Sequence, residues 1–265
     1  MKASFSLALS TAVVLGMAVN SNAALLYHET FDYAPGPVNA AGTDWTANAH
    51  PTFESGSLTY PGLASSGGRL ANNEPHDGTT ASAVNDLTTF NPMFSEAGTY
   101  YITLLGRVQD DVPVTFPTDL NGLGVPAYIS GKPLQTAFQA DGEGNLRPQM
   151  EVASAANMFG SFAPQVGTFM MAIRVVNEGT AAVDDVRMVM NPDLSQGEPD
   201  WNSADITITS RDLTSPAVEF STVRFDRAHE WDELRVATKW GEAIPEPASL
   251  ALLGLGGLAM LRRRR

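Results

Sequence analysis

Cysteine is absent from the 265 residues, and histidine occurs only four times, at widely separated positions. The first absence excludes a disulfide framework, a thiolate nucleophile, a zinc ribbon and an acylated lipobox cysteine. The second leaves no material for a histidine-rich metal centre. Basic side chains are also scarce, 16 against 29 acidic ones, for a net charge of −13. Binding a nucleic-acid backbone needs a basic stripe that displaces counterions, so nucleic acid is excluded as a partner. No Gly-x-Ser-x-Gly, His-Glu-x-x-His or Walker-type Gly-Lys-Ser/Thr occurs. What remains is 43% hydrophobic and only 17% charged, enough for a real core. The length allows one large β domain or two smaller units.

The two ends differ from everything between them. Met1-Lys2 precedes an apolar run from about Phe5 to Val19, and small residues follow at Ser21 and Ala23. One positive charge, an apolar stretch and a small-residue exit predict a secretory signal peptide over residues 1–23, delivered to the Sec translocon. Cleavage after Ala23 makes Ala24 the mature start; an uncleaved N-terminal anchor is the alternative. At the other end Pro245-Glu246-Pro247 leads into Ala248–Leu261, which carries no charge, and Arg262-Arg263-Arg264-Arg265 closes the chain. Fourteen helical residues reach about 21 Å, short of a ~30 Å hydrocarbon core, and snorkelling arginine stems make up part of the gap. The cationic cluster predicts a short inner-membrane helix with its arginines on the cytoplasmic side. Within it, Gly254-Leu255-Gly256-Gly257-Leu258-Ala259 matches a dinucleotide fingerprint but has neither the flanking strand nor the crossover helix that would make it one.

Pro-Glu-Pro, a short apolar helix and a terminal arginine cluster, in that order, resemble the PEP-CTERM sorting signal of Gram-negative bacteria. The resemblance covers residues 244–265 and implies recognition by an exosortase, an integral-membrane cysteine protease that cuts near Pro-Glu-Pro. A simple tail anchor is the plainer alternative.

Residues 24–243 have a uniform texture of short apolar runs broken by Gly, Pro, Asn and Asp. Alternation predicts strands. Within Tyr100–Val108, Tyr100, Ile102 and Leu104 share one face, and Tyr101, Thr103 and Leu105 the other. Val186, Met188 and Met190 share a face, and Ile206 and Ile208 point inward from Ala204–Ser210. Val218 and Phe220, then Val223 and Phe225, slip phase at Ser221-Thr222, which predicts a bulge. Phe169–Val176, Leu134–Ala140 and Arg147–Ala153 are further candidates. Ten to twelve strands in all predict a single all-β domain, an antiparallel sandwich or jelly roll. Asp111–Pro133 and Asn72–Thr80 are expected as loops. Leu26–Tyr33, Val186–Leu194 and Trp231–Trp240 resemble segments of surface proteins with a laminin-G-like, concanavalin-A-like jelly roll. That resemblance implies that the first and last strands lie side by side.

Chemistry is sparse. A glycanase of this shape needs two carboxylates on one face. In Glu230-Trp231-Asp232-Glu233, ideal alternation puts Glu230 and Asp232 together and Glu233 opposite, with Arg235 where a further acid would fall. No catalytic residue is assigned. Asp110-Asp111 and Asp184-Asp185 are expected as solvated edge or turn residues. Asp141, Glu143 and Asn145 offer oxygen ligands for calcium, although Asp-Gly and Gly-Asn equally signal a hairpin turn. No other cofactor is expected. Trp231 and Trp240 are expected in the core, and Trp201, in a Pro/Asp-rich loop, is the candidate surface aromatic for a sugar ligand.

These features together predict a non-enzymatic protein, exported to the cell surface or extracellular matrix of a Gram-negative bacterium. Its precursor is held transiently in the inner membrane, with exopolysaccharide a candidate partner. The alternatives are a secreted polysaccharide hydrolase or lyase and a purely structural matrix protein.

Overall fold

The computed structural model describes residues 24–40, 45–47, 50–72, 82–86, 97–108, 124–125, 134–140, 145–152, 158–159, 163–164, 167–179, 183–211, 222–226 and 229–244. The expected signal peptide, the tail from Pro245 onward, Asp110, Asp111, Val218 and Phe220 lie outside them.

The described residues are mostly antiparallel β with almost no helix, as expected. In order, the strands are β1 (Leu25–Glu29), β2 (Gly36–Pro37), β3 (Trp45–Ala47), β4 (Pro51–Ser55), β5 (Gly68–Asn72), β6 (Ser82–Asp86), β7 (Gly98–Val108), β8 (Gly124–Val125) and β9 (Leu134–Ala140). They continue with β10 (Asn145–Val152), β11 (Met158–Phe159), β12 (Ala163–Pro164), β13 (Thr168–Asn177), β14 (Asp184–Met190), β15 (Ile206–Arg211), β16 (Thr222–Asp226) and β17 (His229–Ala237). One helical turn, α1 (Trp240–Ala243), follows. Seventeen strands among the described residues exceed the ten to twelve expected, because two-residue strands such as β2, β8, β11 and β12 are too short to show alternation. β8 falls within the stretch expected as a loop.

A large sheet runs β15-β14-β13-β7-β17-β5-β4-β2, with β1 also paired to β17. Two small sheets, β11-β10-β9-β8 with β12 on β10, and β16-β6-β3, complete the fold. Alternation sorts the large sheet's residues as predicted. Tyr100, Ile102 and Leu104 of β7 join Phe169, Met171, Ile173 and Val175 of β13, Val186 and Met188 of β14 and Ile206 and Ile208 of β15 in one core. Trp45 of β3 and Met150 of β10 belong to the same core, so the small sheets close the sandwich over this face. The opposite face of β7 gives Tyr101 and Leu105 to a second cluster, with Met170, Ala172, Trp201, Trp240, Ala243 and Ile244.

At the centre, Gly106 of β7 lies opposite both Phe169 and Trp231. Those rings meet edge-on with centroids 5.9 Å apart. A Cβ on residue 106 would stand 2.6 Å from the Trp231 ring and closer still to Phe169, so glycine is the residue that lets both rings fit.

Candidate functional site

β17 is the strand around which the polar chemistry gathers. It pairs with β7 along its length, with β5 at Glu230 and Trp231, and with β1 from Leu234 to Ala237. The first and last strands are therefore neighbours, as the jelly-roll resemblance implied. The β7 register advances from Leu105 to Thr103 while β17 advances from Asp232 to Arg235, which is a bulge of one residue. Glu233 sits in it with φ +52.

The bulge corrects the expected facing of the acids. Trp231, Leu234 and Val236 all point into the sandwich, and the residue inserted between them leaves Asp232, Glu233 and Arg235 together on the other face. The segment between β4 and β5 covers that face. Ser57 Oγ and Leu58 N donate to Asp232 Oδ2 at 2.6 and 2.7 Å. Ser66 N donates to Glu233 Oε1 at 2.8 Å. His28 Nε2 donates to Glu233 Oε2 at 2.7 Å, and Arg235 donates to the same oxygen from Nε at 3.0 Å and from its terminal nitrogen at 2.7 Å. Before the bulge, Glu230 is ion-paired with Arg69, whose Nε lies 3.2 Å from Oε1, and with Arg107.

The two adjacent carboxyls titrate in opposite directions. Burial pushes Asp232 up to about 7, against the pull of the Ser57 and Leu58 donors. Burial also acts on Glu233, but the bonds from His28, Arg235 and Ser66 outweigh it and hold that carboxyl below its ordinary value. A raised and a lowered acid side by side is the division of labour acid–base catalysis uses. Here both are sealed, with Asp232 0% and Glu233 1% exposed. The arrangement ties the 56–67 segment and β1 to the last strand.

Two further buried carboxylates carry no sequence signal beyond their neighbours. Glu29 accepts from Trp45 Nε1 at 3.0 Å, from the Tyr33 hydroxyl at 2.9 Å and from Phe31 N at 2.7 Å. Asp184, expected as a solvated residue, is 1% exposed and accepts from Glu178 N across the hairpin joining β13 to β14. Its neighbour Asp185 pairs with Arg174 and Arg187.

Trp201 is also corrected. It opens a short 3-10 turn that the Asp200 side chain caps by accepting from Asn202 N. The turn folds the indole inward, where it is 5% exposed. Its Nε1 donates to Glu198 at 2.8 Å, the Arg174 guanidinium lies 5.3 Å from its ring centre, and the Tyr101 and Trp240 rings flank it. No face of it is offered to a sugar. Trp231 and Trp240 are buried as expected. Of the calcium candidates, Asp141 and Glu143 lie outside the described residues. Asn145 opens β10, which pairs back on β9 with Leu146 opposite Ala140. Among the described residues no cluster of three acidic or histidine side chains could hold a metal ion.

The same aromatic group holds the end of the domain. α1 lays Trp240 against Tyr101 and Trp201. Ala243 is 0% and Ile244 7% exposed. Thr103 Oγ1 donates to the Ala243 carbonyl at 3.2 Å, and Ile244 N donates to Trp240 O at 2.9 Å. Pro245-Glu246-Pro247 follows directly.

Compared with protein families, the chain matches over residues 243–265, starting on the buried Ala243. Those residues are a PEP-CTERM protein-sorting motif. A PEP-CTERM motif implies an exported chain, anchored transiently in the membrane and recognised and processed by an exosortase. Among the described residues, no helix is long and apolar enough to cross a membrane. No curated protein matches the chain significantly. Solved structures similar to the chain include an endo-β-1,4-glucuronan lyase from the fungus Trichoderma reesei, at 8% identity and TM-score 0.49, covering 84% of this chain and 99% of that one. The CBM2 module of the evolved Dit of Lactobacillus casei BL23 phage J-1 is similar at 10% identity and TM-score 0.42, covering 82% and 96%. An endo-1,3-β-glucanase from Streptomyces sioyaensis is similar at 13% identity and TM-score 0.40, also covering 82% and 96%. Likenesses this distant say nothing about activity.

Proposed function

We propose that the chain is a non-catalytic β-sandwich exported to the cell surface or extracellular matrix of a Gram-negative bacterium, and placed there by exosortase processing of its PEP-CTERM motif. The observation that carries the reading is the junction itself: the motif begins on a turn packed into the domain, so the folded body is the cargo the motif delivers. The sealed acids of β17 support the non-catalytic part, since Glu230, Asp232 and Glu233 are each 6% exposed or less and already hydrogen-bonded or ion-paired. Intact mass of the protein from cells with and without the exosortase tests the sorting claim. The expected result is loss of Arg262–Arg265 when the protease is present. Equal masses that retain those arginines would refute it.

A polysaccharide hydrolase or lyase has one observation in its favour, the shared face and opposed titration of Asp232 and Glu233. It requires the 56–67 segment to open. Turnover of any polysaccharide by the purified protein, abolished by Glu233→Gln under conditions where circular dichroism shows the variant folded, would establish it over the first reading.

A further inference from the structure

The two ends of the described chain meet. Thr238 N donates to the Ala24 carbonyl at 3.0 Å, and Ala24 N donates to Thr238 Oγ1 at 3.0 Å. Leu25 is paired with Ala237, so the segment before residue 24 leaves the sheet where β17 ends. From Thr238 the chain turns through α1 onto the second face, and Ala243 reaches Thr103, which lies opposite Arg235. That position is two residues, roughly 7 Å of strand, short of the end of β17, and five residues short of the end of β7 at Gly98. Both apolar terminal segments are thus attached near the end of β17, the N-terminal one at Ala24 and the C-terminal one beside Thr103. The tethers are short. Fully extended, Asn20–Ala23 spans at most about 14 Å and Pro245–Pro247 about 11 Å.

The same end carries the exposed apolar surface. Among the described residues, three large apolar side chains stand exposed: Leu25 at 42%, Leu26 at 37% and Val183 at 56%. Leu25 and Leu26 begin β1. Val183 immediately precedes β14, and the register places it with them. Ala237 lies opposite Tyr101, Tyr101 opposite Arg174, and Arg174 opposite Arg187. Val183 is therefore four residues beyond that row, in the direction in which the N-terminal segment leaves. Four strand-to-strand steps separate β1 from β14, roughly 19 Å across the sheet. Random placement gives no reason for these side chains to share the end from which both tails depart.

We propose that this end of the sheet is the face the precursor turns to the lipid surface of the inner membrane, with Leu25, Leu26 and Val183 against the headgroup region. The proposal rests on the reading of both termini as membrane-targeting segments, and adds which surface of the domain meets the bilayer. It also accounts for departure. Residues 24–244 carry 11 basic and 28 acidic side chains, a net charge of −17, so anionic lipid repels the body once the tethers are cut.

The absence of native cysteine makes the test direct. Leu25→Cys, Leu26→Cys and Val183→Cys each accept one environment-sensitive fluorophore. Gln196→Cys, exposed in the turn beyond the opposite end of β14, is the control. The full-length precursor is reconstituted into vesicles of phosphatidylethanolamine and phosphatidylglycerol containing nitroxide-labelled lipid. Near-UV circular dichroism checks that each labelled variant keeps its fold. The expected result is strong quenching at positions 25, 26 and 183 and none at 196. Equal quenching at all four, or quenching at 196 alone or nowhere, would overturn the proposal while leaving a vesicle-bound precursor and its sorting motif intact. A precursor that does not fractionate with the vesicles would overturn the membrane-tether reading and the proposal together.

Discussion

Replacing Glu233 by glutamine should destabilise the domain far more than one lost charge on a surface would. Glu233 Oε2 receives three N–H donors, from His28 and twice from Arg235, and Oε1 receives the Ser66 amide. A glutamine has one acceptor oxygen and one donor nitrogen, so either orientation sets a donor against a donor. It also leaves the Arg235 guanidinium, 5% exposed, without its counter-charge. Breaking a buried pair in this way costs about 3–5 kcal/mol. For a domain of this size each kcal/mol moves the melting temperature by about 2–4 °C, so even 3 kcal/mol lowers it by roughly 6–12 °C. Thermal unfolding of the purified protein at neutral pH, followed by circular dichroism, reads this directly. The double variant Glu233→Gln/Arg235→Met should lose clearly less than the sum of the single losses, because removing both charges leaves no stranded guanidinium. A change in melting temperature of about a degree for Glu233→Gln, or strictly additive losses, would refute the view that these groups act as one buried unit.

Asp232 gives a pH dependence of opposite sign to that of its neighbour. Its folded value is raised from 3.8 to about 7, so the stability it contributes is full below about 4 and is lost as pH rises through about 7. Denaturation midpoints measured across that window should fall toward alkaline pH in the wild type and flatten in Asp232→Asn; an unchanged slope in the variant would assign the effect elsewhere. Gly106→Ala should cost about 1–3 kcal/mol or more through overpacking between Phe169 and Trp231, read as a shifted denaturant midpoint, and a neutral result would mean that the two rings can separate freely.

Much of the fold was legible in the sequence because a half-buried strand announces itself through period two. Tyr100–Leu105, Val186–Met190 and Ile206–Ile208 alternate cleanly, and each sorted onto its predicted face. The sorting tail was equally legible, since charge and apolar length are properties of the local sequence. The acid site was misjudged at one point. Trp231, Leu234 and Val236 are spaced by three and then two, the same slip in phase that predicted a bulge at Ser221-Thr222, and applying it here would have put Glu233 beside Asp232. Trp201 and Asp184 were misplaced for a different reason. Their burial depends on a capped turn and a hairpin closing over them, and polar loop composition says nothing about which side chain the loop tucks under itself.

The position of β17 also bears on the order in which the molecule can form. It is the last strand among the described residues, yet it lies inside the large sheet, bonded to β7, β5 and β1. A chain emerging from its N-terminus can pair β7 with β13 and β14 early, but β1 and β5 must wait for residues 229–237. Closing so long a loop is slow and entropically costly. The large sheet therefore stays incomplete until residues 229–237 are in place. The sorting motif starts at residue 243, six residues after Ala237. The strand that completes the sheet and the motif that sorts the chain are thus neighbours in sequence, at residues 229–237 and 243–265.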